Sequence, residues 1–368
     1  MPHKTLELAQ AAAHRGGMSD LPAAGLSAAP PAAHAHARSL ARWLLIVAAL
    51  VIAIVAVGGI TRLTESGVSI TEWKPVTGAL PPLSEAAWQA EFDAYRQTPQ
   101  YLQINGPAGM TLATYKFIYF WEWVHRLIAR LIGTVLIAVT AWFWAKGRIP
   151  AGYKPRLLAL IALIGLQGAI GWWMVQSGIV NDVKVSHFRL ATHLLTALLT
   201  MAGLVWTALD LFAHARGEPP HRLTGFAALA LGLLALQLGM GALVAGLRAG
   251  HVASDWPLMT GQLFPDGVDW SRGLGHALLS DPFLVHFDHR WFAWVVVAVL
   301  VVMGRRLRKA GARPVSVAVH SAFGAQVLLG IATVMSGVAL WLAVLHQLVG
   351  ALLLATTTWG AHALGRRG

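Results

Sequence analysis

The chain has 368 residues, 56% of them hydrophobic and only 12% charged, with a mean hydropathy of +0.59, which fits an integral membrane protein and excludes an ordinary soluble domain. It has no cysteine, so disulfides, thiolate ligands and thiol redox chemistry are excluded. A formal charge of +12 could suggest nucleic acid, but the basic residues sit in alternate loops instead of forming a patch, so no nucleic-acid partner is expected.

Residues 1–40, rich in Ala, Pro, Gly and His, are expected to form a flexible cytoplasmic tail. They do not read as a signal peptide, because the apolar run after them has full span length. His34 and His36 within them read as solvated low-complexity sequence, not as metal ligands. Eight apolar runs follow, at about 43–61, 117–145, 157–177, 188–211, 225–247, 284–304, 315–337 and 340–362. Each is near the ~20 residues that cross a ~30 Å hydrocarbon core as a helix.

Basic residues flank these runs on one side: Arg38 and Arg42 before the first, Lys146 to Arg156 after the second, Arg216 and Arg222 after the fourth, Arg305 to Arg313 after the sixth, and Arg366 and Arg367 after the last. The opposite loops carry the acids Glu65, Glu72, Glu85, Glu91 and Asp93, then Asp255, Asp266, Asp269 and Asp281. This positive-inside pattern puts both termini in the cytoplasm of a bacterial inner-membrane protein, or in the matrix if the protein is mitochondrial.

The chain also matches itself. Gly58, Gly67, Trp73 and Gly78 pair with Gly241, Gly250, Trp256 and Gly261 at an offset of 183 residues. His125-Arg126 pairs with His289-Arg290 at 164, Gln167, Gly171, Ser177 and Gly178 with Gln326, Gly330, Ser336 and Gly337 at 159, and His193 with His346 at 153. The expected fold is therefore all-α, with eight transmembrane helices as two pseudo-symmetric four-helix bundles in parallel repeat. The N-terminal bundle would span 41–212, with an enlarged outer loop at about 62–116, and the C-terminal bundle 213–368.

Of sixteen histidines, only His125/His289 and His193/His346 recur at equivalent places; His187, by contrast, falls opposite Leu340. One histidine near a membrane interface is ordinarily a structural residue, but recurrence in both halves favours a site. All four lie in the first turns of spans entering from the outer side, one pair per bundle, so two imidazoles can face each other across each bundle. Zinc usually takes three or four protein ligands. Two histidines suit a haem, whose iron already has four porphyrin nitrogens. Glycines at 165, 168, 171, 330 and 337 and tryptophans at 121, 123, 172, 173, 291 and 294 would admit and flank a macrocycle, although ordinary helix packing and interfacial anchoring account for most of them. Arg126 and Arg290, like Arg62 and Arg248, lie near outer span ends, where they could pair with propionates or snorkel to the interface.

The halves differ at one position. Glu122 lies three residues before His125 and so on the same helix face, whereas the matching position before His289 is His286. Asp288 is displaced by about 100° round its helix and should look elsewhere. A carboxylate beside a haem suits proton transfer, and a bis-histidine site without one suits electron transfer. The competing account of Glu122 is an i,i+4 salt bridge to Arg126.

The segments GGITRLTESGVSITEWKPVTGALPP, KFIYFWEWVHRLIARLIG, RLATHL, FDHR and LHQLVGALLLAT resemble the heme A synthase family, in its cysteine-free alphaproteobacterial and mitochondrial branch, over roughly residues 40–362. The resemblance implies an inner-membrane oxidoreductase that converts the methyl at ring position 8 of heme o to the formyl of heme a, for cytochrome oxidase assembly. It implies two successive hydroxylations, with the geminal diol losing water. Carried onto this chain, it implies that His125 and His193 hold the substrate haem, that His289 and His346 ligate a heme b, and that Glu122 is the catalytic acid/base. Its implied partners are membrane lipid, heme o synthase as supplier and an electron donor it does not identify; a homo-oligomer is left open. A b-type cytochrome passing electrons from quinol, and a haem carrier without catalysis, are the rival readings.

Overall fold

The structure, a computed structural model, describes residues 31–366 apart from residue 182. Helix α1 (Pro31–Leu63) is followed by the short α2 (Glu85–Tyr95), then α3 (Leu112–Ala145), α4 (Lys154–Gln176, extended by a wide turn Ser177–Asn181) and α5 (His187–His214). The second half has α6 (Gly225–Leu247), the short α7 (Leu274–Ser280), α8 (Pro282–Lys309), α9 (Arg313–Met335) and α10 (Leu340–Leu364). All except α2 and α7 are long and apolar enough to cross a membrane, giving eight candidate spans among the described residues.

Local chemistry sets the helix ends. Thr111 and Thr114 form a capping box at the start of α3, and the Ser84, Thr224 and Asp281 side chains accept backbone N–H groups at the starts of α2, α6 and α8. Pro155, Pro282 and Pro314 occupy first turns, where a missing N–H costs nothing. The matched serines of the repeat have matched tasks: Ser177 Oγ accepts Ser186 N at 3.0 Å and Ser336 Oγ accepts Ala339 N at 3.1 Å, each closing the tight connection into the next span.

One boundary differs from expectation. Helix α1 starts at Pro31, inside the stretch expected to be a flexible tail. The alanine-rich run PAAHAHARSL favours helix, and Ala37, Leu40 and Ala41 are fully buried, so packing holds the extra turns. His34 and His36 lie on these turns; residues 1–30 of the expected tail lie outside the described residues.

Within the first half, α1 packs on α3 and α5, and α4 on α3 and α5; within the second, α6 packs on α8 and α10, and α9 on α8 and α10. The order of neighbours is thus the same in both halves. They join where α1 meets α10 and where α5 meets α6 and α10. Lipid is as apolar as leucine, so span association depends on close packing and polar contacts. The shared core accordingly mixes small residues, such as Ala37, Ala41, Ala48, Ala208, Ala230 and Ala351, with Leu and Val. Leu131, Ile137, Leu199, Leu236 and Leu328 face outward.

On the side of the 64–111 connection, α3 projects its first turns beyond the core and carries α2 on an aromatic cluster. Tyr95 stacks on Tyr115 with ring centroids 5.1 Å apart, and Phe92, Tyr101 and Tyr119 close around them. Burial pushes the Tyr95 phenol up to about 12, while Glu72 and Glu91 raise the Lys74 ammonium by direct hydrogen bonds.

On the opposite side a polar clasp ties the halves. Asp210 of α5 is fully buried. Its Oδ1 accepts His362 Nε2 of α10 at 3.0 Å and His221 N at 3.2 Å, and its Oδ2 pairs with Arg156 of α4. His221 and His362 stack with centroids 4.0 Å apart. Asp210→Ala leaves these partners without their acceptor, and breaking such a buried network costs about 3–5 kcal/mol. Thermal unfolding in detergent should show a clearly lowered midpoint; an unchanged midpoint would mean that the clasp contributes nothing to stability.

Candidate haem-binding sites

Each of the four repeat-selected histidines lies against a glycine of the preceding span. A Cβ on Gly171 would fall 2.9 Å from His193 Cε1, on Gly241 2.9 Å from His289 Cε1, on Gly330 3.0 Å from His346 Cε1, and on Gly58 3.4 Å from His125 Nε2. Gly58 matches Gly241 and Gly171 matches Gly330 in the repeat, so one device is used four times. At Gly171, Gly241 and Gly330 the glycine lets an imidazole lie flush against the neighbouring helix, in space that a Cβ would crowd, whereas at Gly58 a Cβ would make only ordinary contact.

The second half shows the product of this arrangement most directly. The His289 and His346 rings have centroids 6.4 Å apart and planes at 89°. Metal–imidazole bonds of about 2 Å, with each centroid about 1 Å behind its nitrogen, place two axial rings about 6 Å apart on one ion. The pair therefore fits the two axial positions of a haem iron. His346 Nδ1 is buried without a partner, a polar atom that calls for one. Among the described residues no group of three or more His, Asp or Glu could hold a bare ion, so the donor set is two histidines. In the first half, His125 of α3 and His193 of α5 rest on Gly58 and Gly171, which are carried by α1 and α4.

Glutamines complete three of these settings. Gln167 Nε2 lies 3.0 Å from His193 Nδ1 and donates to His193 O at 2.8 Å. Gln237 Nε2 lies 3.1 Å from His289 Nδ1 and donates to His289 O at 2.9 Å, and Gln326 Nε2 lies 3.3 Å from His346 Nε2. Gln167 and Gln326 match in the repeat, but Gln237 falls opposite Ile54, so comparison of the halves passes over it. The signal that finds Gln237 is its polarity in a span where polar groups are costly.

Glu122 is buried and fully engaged. Its Oε2 accepts Ser69 Oγ at 2.7 Å and Ile70 N at 2.9 Å, and its Oε1 accepts Arg126 Nε at 3.1 Å and Nη2 at 2.7 Å. The i,i+4 salt bridge weighed from the sequence is thus present. Arg126 also donates to Ile70 O at 2.9 Å and Glu72 O at 3.1 Å. Arg290 does the same in the other half, donating to Ala253 O at 3.2 Å and Asp255 O at 3.0 Å, the repeat equivalents of those two carbonyls, and to His286 Nε2 at 3.0 Å. Arg126 and Arg290, the candidates for propionate contacts, pin the connection after the preceding span. The reason is local: a guanidinium at a span end, beneath a loop with free carbonyls, satisfies them with its fork of donors. Arg62 donates to Gly246 O at 3.1 Å and Arg248 pairs with Glu65, so both bridge the halves.

The fold and site define an eight-span helical membrane protein with two glycine-backed histidine pairs, one of them on the helix that carries a buried carboxylate. The chain belongs to the COX15-CtaA family of cytochrome oxidase assembly proteins, whose family model matches residues 41–358. It is 70% identical over 350 residues to a protein of Novosphingobium aromaticivorans named Heme A synthase, covering 93% of this chain and 100% of that relative. It is 60% identical over 330 residues to the Heme A synthase of Erythrobacter litoralis, covering 89% of this chain and 97% of the relative, and 56% identical over 331 residues to that of Sphingopyxis alaskensis, covering 89% and 93%.

Gly241→Val and Gly171→Val are expected each to displace the histidine they carry. Haem extraction from the purified variants should show loss of one haem with retention of the other; full retention of both would mean that the glycine contact is not what admits the ring.

Proposed function

We propose that this chain is a heme A synthase, oxidising the methyl at ring position 8 of heme o to the formyl of heme a for cytochrome oxidase assembly. One observation carries the reading: the chain matches a protein of that name along the relative's whole length at 70% identity.

Within it we assign the substrate, heme o, to His125 and His193, and a heme b to His289 and His346. Bound there, heme b supplies a one-electron relay. The division is supported by the single carboxylate. Glu122 stands one turn before His125 on α3, and α8 has His286 in its place, with the arginine four residues on conserved in position in both helices. We assign Glu122 as the acid/base that exchanges protons with the reacting site, through the Ser69 hydroxyl that already donates to its Oε2 at 2.7 Å. Arg126 on Oε1 holds the carboxylate in place meanwhile. Burial among Tyr115, Tyr119 and the 69–72 backbone keeps bulk water off this oxygen.

The charge pattern supports an inner-membrane orientation with both termini in the cytoplasm and the haem ends of the spans on the outer side. Heme o synthase is the supplier this reading requires.

Glu122→Ala tests the assignment directly. The rate of heme a formation should fall about 10²-fold or more, with heme o accumulating in the extracted pigment; conversion at the wild-type rate would remove the acid/base role. His346→Ala should abolish the low-spin bis-histidine spectrum of heme b while heme o remains extractable. If the purified protein never holds heme o or heme a with heme o synthesis intact, the chain is an electron-carrying b-type cytochrome and not a synthase.

A further inference from the structure

The connection between α1 and α2 descends along α3 further than a loop confined to the surface. Arg130 of α3 donates from Nε to Pro75 O at 2.8 Å and from Nη2 to Lys74 O at 2.7 Å, and Trp123 Nε1 donates to Ala79 O at 3.2 Å. Gly78 admits this approach, since a Cβ there would fall 2.9 Å from Arg130 Nη2. Arg130 lies sixteen residues from Lys146, the first charge beyond the far end of α3. At about 1.5 Å per residue it stands about 24 Å from that end, within a ~30 Å hydrocarbon core.

The second half lacks this descent. Leu258, the repeat equivalent of Pro75, has its carbonyl held at 3.0 Å by Arg290, the equivalent of Arg126, and Arg130 itself falls opposite Trp294. The same carbonyl is thus held four residues, about 6 Å, further along the helix in the first half. The side chains differ as well: Val76 is 82% exposed, and its equivalent Met259 1%.

The composition of the descending stretch suits lipid. Residues 75–83, PVTGALPPL, carry no charge, and Leu80 and Leu83 are 69% and 81% exposed. Backbone at membrane depth has to be satisfied within the protein. Pro75, Pro81 and Pro82 have no N–H to satisfy. Gly78 N and Ala79 N bond within the turn, to Lys74 O and Val76 O, while Arg130 and Trp123 take three carbonyls. Lys74 gives its ammonium to Glu72 and Glu91. Trp73, at the head of the stretch, meets Trp172 of α4 edge-on at 6.5 Å, an aromatic pair of the kind that marks a membrane interface.

We propose that residues 75–83 are a membrane insert. They lie against α3 in the leaflet on the side of the 64–111 connection, with Val76, Leu80 and Leu83 among the acyl chains and Arg130 as the clamp that holds them there. The partner is lipid, because the stretch is uncharged, begins at the aromatic pair and is held at hydrocarbon depth. It continues from Ser69 and Ile70, which donate to Glu122, so the cradle of the carboxylate is anchored in lipid.

The chain has no cysteine, so single-cysteine variants report one position each. Val76→Cys, Leu80→Cys and Leu83→Cys, in full-length protein in phosphatidylcholine nanodiscs, are labelled with bimane. Outward-facing Leu328→Cys on α9 and exposed Gln89→Cys on α2 serve as references. Lipids brominated along the acyl chains should quench the three as strongly as Leu328→Cys and several-fold more than Gln89→Cys, with iodide in the buffer giving the reverse order. Arg130→Leu in the Leu80→Cys background should lower the acyl-chain quenching towards the Gln89→Cys value; if that variant does not accumulate, the native background decides the depth alone. Iodide quenching of the three equal to that of Gln89→Cys would overturn the proposal. Protection from an impermeant maleimide in cell membranes but not in nanodiscs would overturn it too, in favour of a protein partner. Acyl-chain quenching unchanged by Arg130→Leu would remove the clamp.

Discussion

The structure depends on the close approach of an imidazole to a helix backbone, made four times where a span histidine meets a glycine. In a bilayer no water pushes helices together, so what a span can bring near its neighbour is set by the bulk of the facing side chain. A glycine there creates a slot as deep as a ring. The slot fixes which edge of the imidazole faces the site, and the helix carrying the glycine must then lie alongside. The neighbour order α1–α3 and α4–α5, repeated as α6–α8 and α9–α10, is the order in which glycine spans meet histidine spans.

The same economy governs the polar groups. Several charged side chains at the span ends are committed to a backbone segment or a partner span. Arg126 and Arg290 hold equivalent loop carbonyls, and Arg62 and Arg248 stitch α1 to α6 and its neighbouring loop on the same side. Asp210, with His362 and Arg156, binds α5, α10 and α4 on the other side. The two halves are thus clamped at both ends, which leaves their middle to apolar packing. Rigid ends hold the facing imidazoles, such as His289 and His346 with centroids 6.4 Å apart, at a fixed spacing.

Much of this was legible in the sequence because repetition exposes what must be kept. Offsets of 183, 164, 159 and 153 residues selected the four histidines, and the same offsets contained Gly58, Gly171, Gly241 and Gly330, whose purpose only contact reveals. Gln237 was hidden for the opposite reason: it has no counterpart, so comparison discards it. Asp210 and His362, 152 residues apart, have no local pattern that links them. The helix over 85–95 and its tyrosine cluster escaped notice because its apolar residues pack on projecting turns of α3 and not on the membrane core. The loop carbonyls that Arg126 holds are likewise invisible in the sequence, which shows a charge near a histidine but not the loop folded over it.

The asymmetries carry the functional argument further than the symmetry does. Repetition alone describes a protein with two equivalent haems, which is what an electron-passing cytochrome would need. Against that background stand two differences, both on the first half's α1 and α3: Glu122 where α8 has His286, and Ile54 where α6 has Gln237. One adds a buried carboxylate and the other removes an amide beside the histidine. The two departures converge on His125, through the residue one turn before it and the span behind it, and this supports the proposal that the chemistry belongs to that half.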